Sequence, residues 1–87
     1  MSKIQLRNGR DIDIPCLPLD ESGDELAGLI AKVAECKTDL ELRDLYRTLG
    51  LKACALFAPG LDPKAALAGL DMGNVPKIIR ALNGLGD

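Results

Sequence analysis

The sequence contains no histidine and no tryptophan, and its aromatic residues are one tyrosine and one phenylalanine, Tyr46 and Phe57. Each absence removes a class of function. Without histidine there is no Ser-His or Cys-His pair for nucleophilic catalysis. The three cysteines, Cys16, Cys36 and Cys54, are odd in number and widely spaced. None forms a Cys-x-x-Cys pair, so neither a metal site nor a cofactor is expected, and each reads as a small buried hydrophobe. Two aromatics give no platform for stacking single-stranded bases. Neither sign of charge dominates: 11 basic residues against 13 acidic ones leave a net charge of −2. That balance provides no general attraction to nucleic acid or to anionic membranes. No apolar run approaches the roughly 20 residues a bilayer span requires, and nothing resembles a signal peptide. The expectation is a reduced, cytoplasmic protein with no membrane partner.

What is present is aliphatic. Apolar residues make up 47% of the 87-residue chain, almost all of them Leu, Ala, Ile and Val. A chain of this length buries roughly 60–65% of the surface its unfolded form exposes, which is enough for one domain with one modest core. Thin side chains favour closely packed helices.

Residues 3–14 read as a β-hairpin. Ile4 and Leu6 alternate with polar neighbours on one arm, Ile12 and Ile14 do so on the other, and Asn8-Gly9 between them suits a two-residue type I′ turn. Lys3, Arg7 and Arg10 give the hairpin a basic character. Four Ile/Leu residues cannot stabilise a lone hairpin, so it must lie on helices. Residues 15–21 form an extended connector, because Pro15 and Pro18 block both helix and ladder.

Residues 22–85 form the helical part. Two Ser/Thr-x-x-Glu sequences, Ser22 to Glu25 and Thr38 to Glu41, predict capped helix starts. The first helix is expected over about Asp24–Cys36, with Leu26, Leu29, Ile30 and Val33 inward and Gly28 at a close helix contact. The second follows Thr38, with Leu42, Leu45, Tyr46 and Leu49 inward and Arg43, Asp44 and Arg47 on the other face. Gly50 predicts a break or kink, followed by a further helical piece to Ala58. Pro59-Gly60 is a stop. Asp62-Pro63 predicts a cap and first turn for a short helix, Pro63–Leu70. After the turn Asp71–Asn74, the last helix is expected over Val75–Leu85, ended by Gly84 and Gly86. The sum is an α+β domain: an N-terminal hairpin packed on a small bundle of four to five short helices.

Constellations that could carry chemistry are sparse. The acid pairs Asp11/Asp13, Asp20/Glu21 and Asp24/Glu25 fall in a strand, a connector and a helix start, where solvation and capping explain them. The glycines form no phosphate-cradling loop after a strand. The expectation is therefore a protein that is not an enzyme. Residues 64–82 resemble the helix-turn-helix of phage repressors, which would offer Asn74, Lys77 and Arg80 to a DNA groove. They depart from it at Asp71, Met72 and Gly73 in the turn, and at Pro76 inside the would-be recognition helix. With the acidic net charge, nucleic acid is the weaker expectation.

The outline of the whole chain has a basic hairpin around Asn8-Gly9, a Leu-rich connector, Gly23-Asp24 before the first helix, Gly60-Leu61-Asp62, Leu70-Asp71 and an amphipathic C-terminal helix. It resembles the small tail assembly chaperones of long-tailed bacteriophages. That resemblance implies a non-catalytic module that binds the tape-measure protein, a long helical polypeptide, during tail morphogenesis. It carries no active-site residues across. An apolar strip for such a partner is expected from Leu56, Phe57, Leu61, Val75 and Ile79, with self-association as a companion property. The alternatives are a small DNA-binding regulator and a phage-encoded inhibitor of a host protein.

Overall fold

The computed structural model describes residues 2–85. The expected architecture is found: a hairpin of β1 (Ser2–Gln5) and β2 (Asp11–Ile14), then α1 (Glu21–Val33), α2 (Asp39–Phe57), α3 (Pro63–Gly69) and α4 (Asn74–Leu82). The strands pair antiparallel in the register Ile4↔Ile12, which puts Ile4, Ile12 and Ile14 on one buried face. The hairpin rests through that face on α2 and α4. Leu26 from α1, Ala53 and Cys54 from α2, and Ile78 and Leu82 from α4 complete the core. Among the described residues no helix is long and apolar enough to cross a membrane.

Local details correct several expectations. The hairpin loop is not a type I′ turn: among the described residues only glycines have positive φ, Gly9 among them at 86°, so Asn8 does not supply the second positive φ. Gly9 N–H donates to Leu6 O (3.0 Å) and Leu6 N–H to Arg10 O (2.7 Å), which closes a three-residue loop with a bulge glycine. Asn8 Oδ1 accepts from Arg10 N–H at 3.1 Å, a side-chain bond that holds the loop without a left-handed Asn.

Helix α1 is capped by Asp20, not Ser22, and runs over 13 residues displaced toward the N-terminus from the expected span. Asp20 Oδ1 accepts from Gly23 N–H (3.2 Å) and from the Ser22 hydroxyl (2.6 Å). Both residues are competent caps. Gly23 lies in the first turn of α1, buried under the connector, where a Cβ would collide with the Pro18 carbonyl. Gly28, by contrast, meets nothing within 4 Å and marks no helix contact. Glu25 is not a capping acid; it pairs with Lys52 Nζ at 3.0 Å. The second cap is as expected, with Thr38 Oγ1 accepting from Glu41 N–H (3.1 Å) while Glu41 Oε2 accepts from Lys37 N–H (3.1 Å).

Helix α2 is continuous through Gly50 for 19 residues. The glycine supplies space rather than a break, because Leu70 packs directly against it. Pro59-Gly60 ends the helix as expected, and Pro63 opens α3, although Asp62 makes no side-chain capping bond. Helix α4 stops at Leu82, earlier than expected. Gly84 (φ 75°) turns the chain so that Leu85 N–H reaches Arg80 O (2.8 Å) and Gly84 N–H reaches Ala81 O (3.0 Å). This pair of bonds is the Schellman stop. Gly86 lies outside the described residues.

Candidate functional site

The junction between hairpin, α3 and α4 is built around one carbonyl. Gly69 O accepts both Arg7 N–H (2.8 Å) and Asn74 Nδ2–H (2.8 Å). A Cβ on Gly69 would stand 2.9 Å from Leu6 Cβ, so the close approach of the hairpin loop to the end of α3 requires glycine there. The turn into α4 is then locked reciprocally: Asp71 Oδ1 accepts from Gly73 N–H (2.8 Å) and Asn74 N–H (2.6 Å), while Asn74 Oδ1 accepts from Asp71 N–H (2.9 Å). This arrangement does for α4 what a capping box does, one Asx residue at each end.

Holding these elements together creates an open groove of about 470 Å³. One wall is α2, where Arg43, Tyr46 and Arg47 fall at i, i+3 and i+4 and so share a face. The hairpin loop contributes Arg7. Leu67, Leu70, Met72 and Val75 form the apolar floor, with Leu67 and Met72 exposed. Leu40, also exposed, lies outside the groove lining and precedes Arg43 and Arg47 at helical spacing on the same side of α2.

The groove is cationic in a chain whose net charge is negative. Its lining carries three arginines against one carboxylate, Asp71. Arg7 Nε lies 4.0 Å from Asp71 Oδ2, a long contact, and Arg47 is held by Asp44 at 2.9 Å. Arg43 has no ion-pair partner among the described residues. Guanidinium groups beside an apolar floor can fix carboxylates in a fork while aliphatic side chains settle between them.

The cysteines stand outside the groove. Burial pushes the Cys54 thiol up from its ordinary range, which makes it a core atom and a poor nucleophile. Cys16 is exposed near Gly84, at the far end of α4. Among the described residues no group of His, Cys, Asp or Glu is arranged to hold a metal ion.

The residues expected to form an apolar strip do not assemble into one. Leu61 and Val75 are buried, Val75 alone of the five lining the groove, Phe57 and Ile79 are half-buried, and only Leu56 is exposed. Of the residues offered to DNA, Lys77 and Arg80 are exposed, but Asn74 is 6% exposed and its amide is spent on Asp71 and Gly69. Arg7, Arg43, Tyr46, Arg47, Leu67 and Met72 were not legible as one site. The i, i+4 arginines flanking a tyrosine on α2 were its only local signal. No protein-family model, no curated protein and no solved structure matches the chain.

Proposed function

We propose that the chain is a non-catalytic protein-binding module whose groove receives one face of a partner's amphipathic helix. The observation that carries this reading is the apolar floor of Leu67, Leu70 and Met72 bordered by Arg7, Arg43 and Arg47. Helix-in-groove recognition needs an apolar channel for the anchors and charges at the rim to set orientation. The free charge of Arg43 favours a partner with acidic residues beside its apolar strip. The resemblance to phage tail assembly chaperones points to the same kind of partner, a long helical polypeptide such as a tape-measure protein. Burial of Asn74 weighs against the DNA-binding alternative.

The test is a titration of the full chain into a labelled amphipathic helical peptide with Glu flanking its Leu strip. Micromolar binding that weakens by about tenfold or more in Arg43→Ser/Arg47→Ser is expected, the loss a pair of rim contacts at about 1.4 kcal/mol in total produces. No binding at millimolar protein, or equal binding by the double variant, would remove the reading. Salt-sensitive duplex DNA binding lost in Lys77→Ala/Arg80→Ala would replace it with the alternative.

A further inference from the structure

Leu19 is the most exposed large apolar side chain among the described residues, and it is followed by Asp20 and Glu21. It stands on the connector, where it packs on nothing, although a polar residue would serve equally well there. Its chemistry, one leucine beside acids, complements the groove.

Its position completes the argument. Leu17 N–H donates to Leu82 O (2.8 Å), which fixes the connector to the C-terminal end of α4. Val75, in the first turn of α4, lines the groove, so the two features are separated by about 10 Å of helix rise. The Glu25–Lys52 pair likewise puts the start of α1 beside the C-terminal part of α2, about 13 Å along that helix from Arg43. The acidic leucine and the basic groove therefore lie toward opposite ends of α4. The other leucine among acids, Leu40, lies on the same side of α2 as Arg43 and Arg47, beside the groove rather than away from it.

We propose that a second copy of this chain seats its Leu19-Asp20-Glu21 segment in the groove, with Leu19 on the apolar floor and Glu21 facing Arg43. This rests on the groove being a protein-binding surface, as proposed above. Donor and acceptor are different patches, so a copy that has given its Leu19 segment still holds an open groove for a third, a heterologous contact that propagates head to tail. Self-occupancy covers the apolar floor until a helical partner displaces it.

Sedimentation of the full chain from about 10 µM to about 1 mM at low salt is expected to show a mean mass rising past that of a dimer. Salt at about 0.5 M is expected to reverse the rise. Leu19→Ser removes no packing, and it and Arg43→Ser/Arg47→Ser are each expected to remain monomeric. Mixed, each variant keeps one intact surface, so they form a one-to-one pair that does not grow. A wild-type chain that stays monomeric at the highest concentration, association that survives Leu19→Ser, or a mixture that does not pair would overturn the proposal. Binding of the helical peptide to Leu19→Ser separates the two readings. A monomeric wild type beside a peptide-binding variant removes only self-docking. Head-to-tail association without peptide binding removes only the external helical partner.

Discussion

A Cβ built on Gly50 would stand 2.7 Å from Leu70 Cδ1 and 3.1 Å from Leu70 Cδ2. The glycine sits inside a continuous helix, where alanine is favoured by about 1 kcal/mol. Against that gain is an overpacking cost of about 1 kcal/mol or more. The obstructing atoms are the flexible end of a half-buried side chain that borders the groove, so Leu70 can yield toward solvent. Gly50→Ala is expected to leave unfolding free energy within about 1 kcal/mol of wild type, and Gly50→Val to lose about 2–3 kcal/mol by urea denaturation. A fully stable Gly50→Val would mean that Leu70 does not pack where it is seen.

Gly23 and Gly28 lie in the same helix and make opposite predictions. A Cβ at Gly23 meets the Pro18 carbonyl, a backbone atom that cannot swing aside, whereas one at Gly28 meets nothing within 4 Å. Gly23→Ala is expected to destabilise by about 3 kcal/mol, among the larger single-residue effects. Gly28→Ala is expected to stabilise by up to about 1 kcal/mol, the helix-propensity difference alone. Thermal melts of the two variants check the contrast. Equal shifts of the same sign would show that the connector does not cross α1 at Gly23.

Asn74 is buried and bonded on both sides of its amide. Asn74→Ala leaves the Asp71 N–H without that acceptor and removes one of the two donors to Gly69 O. The expected loss is about 2 kcal/mol by denaturant unfolding, the cost of one unpaired N–H together with the lost buried bond to Gly69 O. Asn74→Asp should cost at least as much, since it places a carboxylate oxygen against the Gly69 carbonyl. A loss below about 0.5 kcal/mol would make Asn74 an ordinary surface residue and return it to the DNA-reading set.

The parts of this fold legible in the sequence are those set by local chemistry. The alternation of Ile4 and Leu6 with Ile12 and Ile14, the Thr38–Glu41 cap, Pro63 at a helix start and Gly84 at a helix end each depend on neighbours within a few residues. What was illegible depends on long-range contact. Asp20 and Ser22 are both good caps, and the crossing of Pro18 over Gly23, which accompanies the Asp20 cap, is a long-range contact with no local sign. Gly50 read as a break because a helix stop and a space-making glycine look alike until Leu70 arrives. The groove is the extreme case. Arg7 is 36 residues from Arg43 in sequence, and the two share a site because Gly69 lets the hairpin loop dock on the end of α3. Leu61 misled as a partner contact for the same reason, since an aliphatic residue gives no local sign of facing in or out.

The last prediction concerns pH and the start of α1. The Ser22 hydroxyl, and after it the Gly23 N–H, hold the Asp20 carboxyl below its usual range. A carboxylate depressed in the folded state contributes stability that is fully present above its unfolded pKa of about 3.9 and fades as pH falls through the folded value. Asp20→Ala is therefore expected to lower Tm at pH 7 by losing the cap, and the gap to wild type should close as both are acidified below about pH 4. Asn caps a helix without titrating, so Asp20→Asn should stay near wild type at pH 7 and should not share the acid-dependent loss. Thermal melts from about pH 2 to pH 7 on the three chains separate the terms. A gap between Asp20→Ala and wild type that is constant across that range would show that the Asp20 charge does not contribute to the cap.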